Sequence, residues 1–418
     1  MTTKVAIIGA GISGLTAAYL LNRCCDITVF ERADTIGGHT ATKTFTHNGK
    51  EHAIDTGFIV YNDWTYPNFI KLLTQLGVDS QPTAMGFSVS CQDSGLEYAG
   101  NNLNTLFSQR RNVFSPKFLR MLKDIVRFNK EALRDLQDNR ISRDMTLGEY
   151  LDHNGYSATF AHYYLVPMGA AIWSASLSAM RDFPVHFFVK FFHNHGLLNI
   201  KNRPQWRVIA GGSQSYLGPL TASFKNNIVT QADIQSIQRN TKGVKITFGD
   251  GRTESFDSVV FATHSDQALA LLADASGDEK AVLGSIPYAE NSVVLHHDES
   301  LLPRSKRTWS SWNYRLTGEK NALPVVTYDM NILQGLDEPT TYCVSLNADD
   351  LIDPEKIIGR YRYAHPQFSL AGITAQDRWH TINGVNRTWF CGAYWGNGFH
   401  EDGVSSALQV AEQFGEFL

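Results

Sequence analysis

The feature that most constrains this chain is a glycine run set between a strand and a helix. Val5-Ala6-Ile7-Ile8 is short and wholly apolar, the pattern of a buried parallel strand. Gly9-Ala10-Gly11-Ile12-Ser13-Gly14 follows without a gap, and Leu15 to Arg23 has helix composition. A second apolar strand, Ile27-Thr28-Val29-Phe30, ends on Glu31, twenty residues beyond Gly11. This is G-x-G-x-x-G in the setting that gives it meaning: strand before, helix after, acid at the end of the next strand. Gly9 permits the tight turn, Gly11 lets backbone approach a pyrophosphate, and Gly14 lets helix and strand pack closely. Ile12 and Ser13 stand with the glycines at the approach to the helix, whose free N–H groups and positive dipole end suit phosphates. Glu31 is placed to accept hydrogen bonds from a ribose. The implied class is α/β, with a Rossmann-like dinucleotide-binding domain.

The remaining chain must be accommodated around that unit. Its 418 residues exceed the usual size of a single core, so two packed units are expected. Apolar residues make 43% and charged residues 19%, a globular balance that excludes a disordered protein. With 37 basic and 41 acidic side chains the net charge is -4, and nucleic acid is excluded as a main partner by the lack of a basic excess. Cys24, Cys25, Cys91, Cys343 and Cys391 are odd in number and lack C-x-x-C spacing. They read as reduced thiols of a cytoplasmic protein, neither a disulfide frame nor a zinc site. No run approaches the roughly 18 apolar residues of a membrane span, and Val5–Ile8 runs into glycines instead of forming a signal-peptide core. His193 and His195 have no third ligand in view, so no metal site is expected.

Arg32-Ala33-Asp34-Thr35-Ile36-Gly37-Gly38 comes directly after Glu31. A second close backbone approach at Gly37-Gly38 suits a ligand that continues past the ribose. This E-R-x-x-x-x-G-G run resembles the flavin-binding start of the amine oxidase, phytoene desaturase and protoporphyrinogen oxidase superfamily. The resemblance implies FAD as the cofactor, bound by a Rossmann-like domain with an inserted α+β substrate domain. His39 departs from the pattern, since many relatives carry there an arginine that helps hold the pyrophosphate. Ala53-Ile54-Asp55-Thr56-Gly57-Phe58 resembles a segment that passes near the flavin, and Arg207 to Ser213 resembles the glycine pair where the chain returns to the cofactor domain. Strands are expected around Asn227–Ile237 and Lys242–Phe248, followed by an Asp250-Gly251 hairpin turn. Ser258 to Thr263 resembles the family strand ending in Ala262-Thr263, and by the same resemblance the backbone of Ile234 contacts the adenine.

At the C-terminus Trp389 to Ala393 reads as a strand that brings Gly392 and Ala393 to the cofactor; Ala393 departs from a common acid. An aromatic, glycine-rich loop, Tyr394 to His400, leads to Glu401-Asp402-Gly403-Val404, which opens a final helix, Ser405 to Phe414. Such a helix start suits negative charge on a reduced flavin ring. The cofactor domain is thus expected to comprise 1–60, 205–275 and 379–418, and the substrate domain 61–204 and 276–378. No second G-x-G-x-x-G marks a separate NAD domain.

Within the substrate half, Ser115 to Gln137 reads as a capped helix with Pro116 in its first turn. Phe118, Leu122, Ile125, Ala132, Leu133 and Leu136 recur at helical spacing, opposite Arg120, Lys123, Arg127, Lys130 and Arg134. Residues 108–135 hold eight basic and three acidic side chains, 8 - 3 = +5. Two readings stay open: peripheral contact of 115–137 with the inner face of an anionic bilayer, or an ordinary surface helix. Phe183, Phe187, Phe188, Phe191 and Phe192 form either core or an apolar wall for an oily substrate. The runs Asn62–Asn68, Met85–Ser90, His193–Leu198, Arg203–Trp206 and Tyr394–Gly403 resemble a bacterial group of amine-oxidase-like flavoproteins that accompanies cyclopropane and methyl-branched fatty-acid synthases. That resemblance implies an FAD-dependent oxidoreductase removing two hydrogens from a lipid acyl chain, with an unknown electron acceptor. Phe399 falls near the slot of an aromatic cage residue. His400 is a candidate base, and Glu401 a base or a helix-start carboxylate; Tyr61 and Trp395 line the pocket or pack. An oxidase of small amines, and a flavin-holding membrane or partner-binding protein without turnover, stay open beside this reading.

Overall fold

The first apolar run forms the strand Lys4–Ile8 at the centre of a five-stranded parallel sheet. Asp26–Phe30 and Ser258–Phe261 flank it, with Ile228–Val229 and Thr388–Phe390 at the two edges. Segments from both ends and the middle of the sequence therefore meet in one sheet. The computed structural model describes residues 2–316 and 323–418. Val5 and Ile7 face a core shared with the helices Ile12–Leu21 and His400–Glu412, whereas Ala6 and Ile8 face a three-stranded antiparallel sheet of Ile234–Asn240, Gly243–Phe248 and Thr253–Phe256. Burial on both faces explains why this strand reads as a continuous apolar run without alternation.

Some boundaries differ from those expected. The first helix begins at Ile12 and stops at Leu21. The strand expected over 227–237 splits into Ile228–Val229 in the parallel sheet and Ile234–Asn240 in the antiparallel one, with Gln231 turning between them at φ +53. The last helix begins at His400, where the Asp402 carboxylate accepts from the Phe399 N–H at 2.9 Å.

A second, seven-stranded sheet has the order Ile357–Pro366, Tyr288–His296, Cys343–Leu346, Val325–Asp329, Trp312–Leu316, Phe87–Cys91, Glu97–Ala99. Its strands come from two stretches far apart in sequence. The helices Pro116–Gln137 and Val185–Asn194 pack into the core beside it, where Phe118, Met121, Phe128, Phe188 and Phe192 are buried. The apolar side of Pro116–Gln137 is therefore occupied by the protein core and is not free to enter a bilayer. Asp55 joins distant segments of the cofactor half, its carboxylate accepting from the Ser213 N–H at 2.9 Å, the Ser213 hydroxyl at 2.8 Å and the Thr42 hydroxyl at 2.6 Å, while its N–H donates to Gln334 Oε1 of the other half at 3.0 Å. Among the described residues no helix is long and apolar enough to cross a membrane, and no cluster of three or more His, Cys, Asp or Glu is arranged to hold a metal.

Candidate active site

The carboxyl ends of the parallel strands open onto a cleft of about 1530 Å³, its mouth included. Its two ends are built differently.

One end is backbone. The helix Ile12–Leu21 starts from Gly11 with no side-chain cap, so its first N–H groups are left for a ligand. A Cβ on Gly11 would meet no atom within 4 Å, because that side faces the cleft. Gly37 bridges to Gly11, and its N–H donates to the Ala10 carbonyl at 2.8 Å. Ile12, Ser13, Gly38, His39, Thr56, Gly57, Phe58, Ala262, Thr263, Gly392 and Ala393 complete this wall. An uncapped helix start beside open glycine surface is the donor set a dinucleotide pyrophosphate needs, so the residues present fit FAD.

Other expected cofactor residues shape the wall from behind. A Cβ on Gly14 would lie 1.9 Å from the Gly9 carbonyl oxygen, and one on Gly9, at φ +103, would lie 2.9 Å from the Ala262 oxygen. Gly403 brings the last helix against the first, its missing Cβ lying 2.9 Å from both Ile12 Cγ2 and Ser13 Oγ. Val404 is fully buried core. The Glu31 carboxylate accepts from the Ala10 and Ala33 N–H groups at 2.8 and 2.9 Å, and Arg32 is exposed. Ile234 opens the antiparallel sheet, outside the cleft wall. Asp402 also lies outside it, and burial pushes its carboxyl up to about 6.

The two titratable candidates for a base, Glu401 and His400, sit in different surroundings. The Glu401 carboxylate accepts from the Asn68 and Phe69 N–H groups at 3.1 and 2.8 Å, at the start of the helix Pro67–Leu76, and lies outside the cleft wall. It caps a neighbouring helix. The His400 ring stacks on Phe58, centroids 3.5 Å apart, and its Nε2 bonds with Thr40 Oγ1 at 3.1 Å and Tyr216 Oη at 3.3 Å. Burial holds it well below the usual imidazole range. It lines the cleft next to Phe399 as a packed, neutral hydrogen-bonding group. Tyr61 and Trp395 do not line the cleft; Tyr61 packs with Tyr66 and Phe69.

The other end is made of side chains. Ile172, Trp173, Trp312, Tyr328, Phe368 and Phe399 line it. Phe399 stacks on Phe191 at 5.3 Å and Phe368 on Phe187 at 5.4 Å, so the phenylalanine stripe is core that also backs the cleft. Among the described residues no Asp, Glu, Lys or Arg lines the cleft.

Beside His400, three further histidines line the cleft, of which the sequence had singled out only His39. The His39 ring lies 5.4 Å from His365 and 6.2 Å from His264, and its buried Nε2 has no hydrogen-bond partner. Burial, reinforced by the His365 and His264 rings, holds His39 down at about 3, and burial reinforced by His264 holds His365 at about 4. All three are neutral imidazoles at physiological pH. His264 follows the expected Thr263 directly and was within reach of that motif. His365 lies in a strand of the other sheet and carried no local signal.

The sequence model of the flavin containing amine oxidoreductase family matches residues 12–301. A protein of Mycobacterium tuberculosis named flavin-containing monoamine oxidase AofH is 23% identical, over 90% of this chain and 86% of its own. Among solved structures, cyclohexylamine oxidase from Brevibacterium oxydans superposes at a TM-score of 0.67 with 17% identity, over 99% of this chain and 100% of that one. A fatty acid isomerase from P. acnes superposes at 0.69 with 17% identity (99% and 98%), and a putrescine oxidase at 0.69 with 14% identity (99% and 99%). With the glycine-built cleft and a family match over more than half its length, the chain belongs to the flavin containing amine oxidoreductases and is an FAD-dependent oxidoreductase.

Proposed function

We propose that this enzyme removes two hydrogens from an apolar substrate, a fatty-acyl chain of a membrane lipid. The observation that carries the reading is the wall of the cleft. A substrate ammonium buried there would meet no carboxylate, and an unpaired buried charge is costly. An alkyl chain instead gains from every aromatic face it covers. FAD, when bound, supplies the two-electron acceptor. The chain's own residues do the remaining work. Gly11, Ile12 and Ser13 hold the phosphates through backbone N–H groups. Trp173, Trp312, Phe368 and Phe399 exclude water and align the chain. His39, His264 and His365, kept neutral, place no positive charge beside the substrate.

A second reading, a small amine as substrate, is favoured by relatives named for cyclohexylamine, putrescine and monoamine oxidation. The P. acnes relative, named for a fatty acid, favours the first. Anaerobic mixing of the flavin-loaded protein with a total lipid extract, and separately with an amine panel, decides between them. Bleaching of the flavin by lipid alone is expected. Bleaching by amines alone overturns the proposal.

A further inference from the structure

We propose that the outward face of the helix Pro116–Gln137, with the turn Arg110–Phe114 before it, docks on the surface of an anionic lipid bilayer. This stands apart from the substrate reading, since an enzyme of either substrate could sit there. It also differs from an amphipathic helix lying on its apolar side, because that side is buried in the core.

The three acids of this region all turn inward. Asp124 accepts from the Ser157 N–H at 3.0 Å, Glu131 from the Tyr156 hydroxyl at 2.8 Å and Asp135 from the Tyr150 hydroxyl at 2.8 Å. Arg120, Arg127 and Arg134 pair with them at 3.2, 3.1 and 3.3 Å. Arg110, Arg111, Lys117, Lys123 and Lys130 are left exposed, without an acidic partner among the described residues. In a chain of net charge -4, this face presents cations alone.

Large apolar side chains stand among those cations. Leu119, Lys123, Val126 and Lys130 follow one another at spacings of four and three, so they share one stripe of the helix. Leu119 is 44% exposed, Val126 55% and Phe114, at the tip of the preceding turn, 86%. Unpaired cations interleaved with exposed apolar groups match a bilayer surface: anionic head groups take the lysines and arginines, and the acyl boundary takes Phe114, Leu119 and Val126. Nucleic acid would use the cations and leave the apolar groups in water.

The test is flotation of the full-length, flavin-loaded protein with vesicles of phosphatidylglycerol and phosphatidylcholine, against phosphatidylcholine alone, at low and high salt. Binding to the anionic vesicles, weakened by salt, is expected. The triple change Lys117→Gln, Lys123→Gln and Lys130→Gln should weaken it on the order of 100-fold. Phe114→Ser should remove the binding that survives high salt. An unchanged flavin spectrum and melting temperature in both variants shows that the fold is retained. Failure of the unaltered protein to float, equal flotation of the triple variant, or tighter binding to polyuridylate than to the anionic vesicles would each overturn the proposal.

Discussion

The two ends of the cleft differ in what they are made of. At the cofactor end the groups facing the ligand are N–H groups and open glycine surface, held by contacts at which a single methyl would collide. At the substrate end they are side chains delivered by several helices and strands. A backbone-built site accepts no substitution without loss of its ligand. A side-chain-built site can be reshaped while the fold and the cofactor stay. This contrast is consistent with one fold serving relatives named for different substrates.

The contrast can be attacked from its strong side. Gly14→Ala places a methyl 1.9 Å from the Gly9 carbonyl oxygen. Such overpacking against backbone should cost at least ~3 kcal/mol, read as a large fall in melting temperature and loss of bound flavin. Gly11→Ala is the sharper case, since its methyl meets nothing in the protein. The melting temperature of the flavin-free protein should be unchanged, whereas FAD affinity should fall on the order of tenfold or more, ~1.4 kcal/mol. Equal FAD affinity in this variant would break the comparison. At the other end, Phe399→Ala removes the stacking on Phe191. Flavin content should stay at one per chain while the rate of flavin reduction by substrate falls; loss of flavin would show that the two ends are not separable.

The same division explains what could be read in the sequence. Gly9 to Gly14, Gly37-Gly38 and Gly57 are contiguous motifs, because a backbone-built site needs special φ angles and missing Cβ atoms in short stretches. The cofactor end was therefore legible. Trp312 and His365 lie in separate strands, with Phe368 in the loop just after the second, and the seven-stranded sheet brings them to the cleft. The helix that Glu401 caps was hidden for a related reason. An acid at a helix start reads as serving its own helix or the reaction, but here it caps Pro67–Leu76, more than 300 residues earlier in the chain.

Two smaller effects sharpen the account. Burial keeps His39 and His365 neutral, down at about 3 and 4. Each favours the fold fully above the unfolded value near 6.5 and loses that contribution as pH falls toward its folded value. Ring resonances followed by NMR should show neither protonated at pH 5; a midpoint near 6.5 would contradict the burial. The smallest effect separates two helix starts. Ser115 caps its helix through the Phe118 N–H, whereas Gly11 leaves its own uncapped. Ser115→Ala should cost about 1 kcal/mol by thermal melting, without altering flavin affinity.

The central claim, that a backbone cradle around Gly11 holds FAD, is tested most directly by titrating flavin-stripped protein with FAD. Saturation at one FAD per chain, accompanied by a rise in melting temperature, is the predicted result. Folded protein that stays colourless and takes up no FAD would contradict it.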